Sequence, residues 1–159
     1  MIIRAIDPGP VRSAFVDWNG DYILDKGMFN NSEHYPHEDY SPFFDAVYFE
    51  QIQSYGMPVG ADVFSTCFWS GRLWERYIDE GFTCEFKGRK DVKLAICGSA
   101  RAKDSNIIAA IVDQFDPDRK YGKTGKGTSK NPGPLYGVSS DVWQALALAL
   151  AVLPKGDEK

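Results

Sequence analysis

Ile2-Ile3-Arg4-Ala5-Ile6-Asp7-Pro8-Gly9 opens the 159-residue chain and decides how the rest is read. The apolar run predicts a short buried strand over 2–6. Asp-Pro-Gly ends it, because proline withholds a backbone donor and glycine turns the chain freely. Outward from there, Ser13–Trp18 and Tyr22–Phe29 flank Asn19-Gly20, a strong short hairpin signal, and predict two antiparallel strands. Asn30–Pro42 is polar and reads as a loop, and Ala46–Phe49 predicts a fourth strand ending at Glu50. Apolar residues at helical spacing predict a long amphipathic helix over Val59–Glu80, stopped by Gly81. Phe82–Phe86 predicts a fifth strand, and Asp91–Ile96 a short helix. Asp104-Ser105 caps a helix running through Phe115, and Ser139-Ser140-Asp141 opens an apolar closing helix over Val142–Leu153. Three antiparallel strands followed by right-handed parallel crossovers give a mixed α/β sheet. In it the first and fourth strands lie side by side, with Asp7 and Glu50 at neighbouring carboxyl ends.

Composition limits the alternatives. A chain of this length with 43 % hydrophobic and 14 % aromatic residues can bury one core, so we expect a single domain over 1–159. No apolar run nears the roughly 20 residues of a membrane span, and no signal-peptide pattern begins the chain. Three cysteines, Cys67, Cys84 and Cys97, without C-x-x-C spacing fit a reducing cytoplasm better than a disulfide or zinc framework. His34 and His37, with Glu38 and Asp39, read as a polar loop before a metal site.

The net charge of −4 speaks against nucleic acid only as a total. Residues 1–80 carry 13 acids against 5 bases, whereas Lys87 to Lys130 holds 11 bases against 5 acids. A cationic segment on an acidic protein suits a phosphate-backbone binder with a carboxylate-rich site; a solvated face with a mobile loop at about 116–138 is the plainer reading. The stretch GKTGKGTSK at 122–130 lacks the glycine spacing and strand–loop–helix setting of a nucleotide-binding loop, so no nucleotide cofactor is expected.

Three carboxylates at element ends remain: Asp7, Glu50 and Asp141. Singly they read as a turn residue, a surface acid and a helix cap. Together they suit Mg²⁺-dependent phosphodiester hydrolysis, which needs a few carboxylates beside waters and phosphate oxygens.

Four segments in order carry a resemblance. Ile6-Asp7-Pro8-Gly9, Phe49-Glu50-Gln51-Ile52, the stretch from Val92 to Lys103 (VKLAICGSARAK), and Asp141 to Ala149 (DVWQALALA) resemble the motifs of RuvC-type Holliday junction resolvases. These belong to the RNase H-like superfamily, and the motifs span nearly the whole chain. The resemblance implies an RNase H-like α/β fold with a mixed five-stranded sheet flanked by helices. It also implies catalytic, metal-binding roles for Asp7, Glu50 and Asp141, two Mg²⁺ per site with Mn²⁺ as substitute, and DNA contacts from Lys93 and Lys103. Lys120, Lys123, Lys126 and Lys130 have no strict counterpart; their Gly-rich setting suggests phosphate contact on physical grounds.

Two departures stand out. Gln144 replaces the last acid of the closing helix, one turn from Asp141, where its carbonyl oxygen still offers an uncharged metal donor. The aromatic wedge after the second acidic motif is missing at Gln53, which leaves Tyr55 as the nearest residue to stack on a junction base. Such differences suggest a divergent, phage-encoded branch acting in a host cytoplasm. The expected function is paired nicking of four-way DNA junctions by a homodimer; the 59–80 helix, which carries Trp69 and Trp74, reads either as part of the dimer interface or as a thick cover for an aromatic-rich sheet. The alternatives are an RNase H-like nuclease acting on other branched DNA or on RNA, and a junction-binding protein without catalysis.

Overall fold

A computed structural model describes residues 1–36, 44–54 and 56–156. Strands β1 (Ile3–Asp7), β2 (Arg12–Trp18), β3 (Ile23–Asn30) and β4 (Ala46–Gln51) precede helix α1 (Ala61–Asp79). Strand β5 (Cys84–Gly88) follows, with α2 (Arg89–Cys97) directly after it, then α3 (Asp104–Phe115) and α4 (Val142–Val152). The main sheet has the order β3-β2-β1-β4-β5. β1–β2 and β2–β3 are antiparallel; β1–β4 and β4–β5 are parallel, as the sequence predicts.

Side-chain alternation divides the sheet into two faces. Ile3 and Ala5 of β1 pack with Val92, Ile107, Ile111 and the apolar face of α4. Ile6 of β1, with Val47 and Phe49 of β4, packs with Leu73 and Tyr77 of α1. The result is a helix–sheet–helix sandwich, with α2, α3 and α4 on one side and α1 on the other. The same parity turns Asp7 and Glu50 toward the α4 side. Among the described residues no helix is long and apolar enough to cross a membrane.

Several expectations shift. The hairpin turn is longer than two residues: Asn19 Oδ1 accepts the N–H groups of Asp21 and Tyr22, and a register irregularity at Asp17/Trp18 absorbs the difference. His34 is a core residue, not part of a polar loop. It stacks on Phe29 at 3.8 Å, and its Nε2 hydrogen-bonds with the Tyr77 hydroxyl at 2.8 Å. His37, Glu38 and Asp39 lie outside the described residues. Trp74 is partly buried: it packs against the core on the α1 side of the sheet and stacks on Phe86 at 4.4 Å. The 116–138 stretch, expected as a plain loop, contains a two-stranded ribbon, β6 (Gly127–Thr128) and β7 (Asn131–Pro132). Its start is tied down by Asp116, whose carboxylate accepts the N–H groups of Lys120 and Tyr121.

Candidate active site

The β1–β4 register pairs Ile6 with Phe49, so Asp7 and Glu50 follow one another on adjacent parallel strands. The Pro8-Gly9 turn holds the end of β1 in place. A Cβ on Gly9 would stand 2.2 Å from the Arg12 carbonyl oxygen, so only glycine fits there. Asp141 arrives from the start of α4. Its carboxylate makes no cap hydrogen bond, so the capping role expected of such a residue does not consume it. The preceding Ser140 has φ +46°, a left-handed conformation costly for a residue with a Cβ, and this strain sits directly beside Asp141.

Asp7 feels the charges of both other acids. Burial, followed by the negative charges of Glu50 and Asp141, pushes the Asp7 carboxyl well above the usual carboxylate range, while Arg89 pulls the other way. Burial also raises Glu50, and Arg89 offsets part of that rise. One turn into α4, Gln144 carries a buried Oε1 with no hydrogen-bond partner among the described residues. A buried amide oxygen left unpaired is costly unless something occupies it.

Two residues of this cluster escaped the sequence reading. Arg89 Nη1 donates to both oxygens of Glu50 at 3.0 Å, and Nη2 donates to Asp104 at 2.7 Å. Asp104 is therefore not the cap of α3: Lys103 holds the N-cap position, with its N–H donating to Asn106 Oδ1. The missed signal was positional. Arg89 directly follows a strand parallel to the Glu50 strand, so the rule that placed Asp7 and Glu50 applied to it as well. Beginning the helix at Asp91 left Arg89 in a connection.

A cleft of about 470 Å³ lies beside these groups, lined by Glu50, Gln53, Arg89, Lys90 and Lys93 among others. The basic residues expected to meet DNA separate in space. Lys93 lines this cleft, and Lys103 is exposed next to Asp104. Lys126 reaches over the Trp143 ring at 5.5 Å, two residues from Asp141. Lys120 borders a different hollow with Phe115, Pro154 and Lys155. That hollow is at the other end of the sheet, where Trp18 meets Phe115 and donates to the Leu153 carbonyl. Lys123 and Lys130 are exposed, and Tyr55 lies outside the described residues.

No protein-family model and no curated sequence matches the chain at a significant level. Among solved structures, a Thermus thermophilus RuvC structure superposes with a TM-score of 0.63, covering 95 % of this chain and 92 % of that one at 17 % identity. The fold is RuvC-like. T. thermophilus RuvC in complex with a Holliday junction substrate gives a TM-score of 0.64 over the same shares, at 16 % identity. The likeness to RuvC is one of fold, and it agrees with the mixed sheet order and the helices on both faces.

Whether the site suits a hard divalent cation can be judged from its donors. Among the described residues no three His, Cys, Asp or Glu side chains are gathered to hold one ion between them. Both Glu50 oxygens already accept from Arg89. Asp7, Asp141 and the orphaned Gln144 Oε1 remain, an all-oxygen set of the type Mg²⁺ or Mn²⁺ prefers. The donor chemistry fits.

Proposed function

We propose that this protein is a divalent-metal-dependent, structure-selective endodeoxyribonuclease that nicks four-way DNA junctions. The observation that carries the reading is that Asp7 and Glu50 end neighbouring parallel strands on one face of the sheet, with Asp141, at the start of α4, near enough for its charge to act on Asp7. A RuvC-like fold and a RuvC structure solved with a Holliday junction substrate support it.

Asp7, Asp141 and Gln144 Oε1 are the residues that would hold the cation. Such an ion supplies Lewis-acid polarisation of a phosphodiester and a water acidic enough to attack near neutral pH. Burial first, then the charges of Glu50 and Asp141, disfavour a bare carboxylate at Asp7, and a cation would offset that cost. Arg89, Lys90 and Lys93 give the cleft a positive wall along which a phosphate backbone can run.

Two symmetric nicks call for two sites, and a homodimer is the simplest way to supply them. The outer face of α1 favours this arrangement: Phe64 and Phe68, one turn apart, are 66 % and 56 % exposed. Junction binding without cleavage is the second reading, favoured by the neutral Gln144 and by Arg89 on Glu50. The deciding experiment incubates purified protein with a synthetic four-way junction, with and without Mg²⁺, beside flap, splayed-arm and RNA–DNA hybrid substrates. Metal-dependent paired nicks in the junction alone support the resolvase. Preference for another substrate moves the activity to that substrate, and tight binding without nicks supports the second reading.

A further inference from the structure

Arg89 sets a cationic group against both oxygens of Glu50 and against Asp104. We propose that it is the resident cation of this site: it stands in for one of two divalent ions, and the chain takes a single ion, at Asp7, Asp141 and Gln144. The inference rests on the metal-dependent nuclease reading and deepens it by assigning the cation count.

The placement of Arg89 is built in. β5 pairs in register with β4 as far as Gln51 and Gly88, and α2 starts at the next residue, so the Arg89 backbone is anchored to the sheet. Gly88, at φ −68° and ψ 143°, is the extended residue that caps α2 where the strand ends. The guanidinium is held on both sides, by Glu50 at 3.0 Å and by Asp104 at 2.7 Å, and its side chain is 20 % exposed. It is a permanent charge, since guanidinium does not lose its proton in proteins.

A second ion on Glu50 would have to sit about 2.1 Å from a carboxylate oxygen that already has a guanidinium nitrogen at hydrogen-bond distance. Two cations crowded there repel strongly at low dielectric. The acid count points the same way. Gln144 supplies an oxygen without a charge, so the site has less negative charge with which to hold two ions.

The test counts Mn²⁺ bound per chain by electron paramagnetic resonance, independently of cleavage. We expect one ion on the wild-type chain and two on Arg89→Met, whose freed Glu50 gains a ligand role. Mn²⁺ should also raise the Tm of Arg89→Met more than that of wild type, because the added ion binds only the folded state. Glu50→Gln in the wild-type background should still bind one ion, and this arm holds even if Arg89→Met fails to fold. Two ions on the wild-type chain, one on a folded Arg89→Met, or loss of the wild-type ion in Glu50→Gln would each overturn the proposal while leaving the nuclease reading in place. No Mn²⁺ bound by wild type at millimolar concentration would overturn both.

Discussion

Arg4 and Asp17 face each other across the β1–β2 ladder, joined by Nε to Oδ1 at 2.7 Å and Nη2 to Oδ2 at 2.8 Å, with neither residue more than 1 % exposed. The guanidinium also lies over the rings of Phe15 and Phe44, and its Nη1 donates to the Tyr77 hydroxyl. Removing Arg4 strands a carboxylate in the core. Arg4→Met should cost about 3–5 kcal/mol, read from urea unfolding. Replacing both partners with apolar residues should cost less than the single change, because no uncompensated charge is left behind.

The nearby His34 predicts a pH dependence. Burial, then the positive charges of Arg4 and Arg76, lowers its pKa from 6.5 to about 4. Between those values the unfolded chain binds a proton that the folded chain refuses. Stability is therefore fully present above pH 6.5 and falls as the pH drops toward 4, by roughly 2–3 kcal/mol in all. The difference in unfolding free energy between wild type and His34→Gln, measured across this window, should follow that slope. A flat difference would mean that His34 stays accessible to protons.

Asp7 is the central acid of the proposed chemistry. Asp7→Asn should lower junction cleavage by at least about a hundredfold, since it removes charge aimed at the transition state. Junction affinity in gel-shift or anisotropy titrations should stay nearly unchanged. Cleavage at the wild-type rate would remove Asp7 from the mechanism.

The basic residues should divide by location. Lys93→Ala should weaken junction binding and reduce the salt slope of log K by about one, the signature of one lost phosphate contact. Lys120→Ala, at the far end of the sheet, should leave both unchanged. Equal effects would show that the DNA path extends over the far hollow.

Phe64 and Phe68 project from α1 into solvent, so changing them should leave the fold intact. The double change Phe64→Glu, Phe68→Glu should shift the protein from dimer to monomer in sedimentation velocity at micromolar concentration. Folding stability should change by no more than about 0.5 kcal/mol per site. An unaltered sedimentation coefficient would place the dimer contact elsewhere or exclude a dimer.

Much of this molecule is legible along the chain. The pairing of β1 with β4 follows from two short apolar runs that each end in an acid, since strand period and right-handed crossover leave little freedom. Helix ends were less legible. α2 begins at Arg89 because β5 continues to Gly88 and the helix follows without a loop, a junction that no local propensity announces. His34 reads as a loop residue in one dimension because its partners, Phe29 and Tyr77, come from separate elements.

By itself the sequence determined the strand and helix order, the mixed sheet, and the acids at the ends of elements, because periodicity, turn residues and parity act over short spans. Only the tertiary structure decided which charges meet. Arg89, Glu50 and Asp104 lie 39 and 15 residues apart in their pairings. Their energies depend on burial and on distances of a few ångströms, quantities that exist only once the sheet and helices have closed around them.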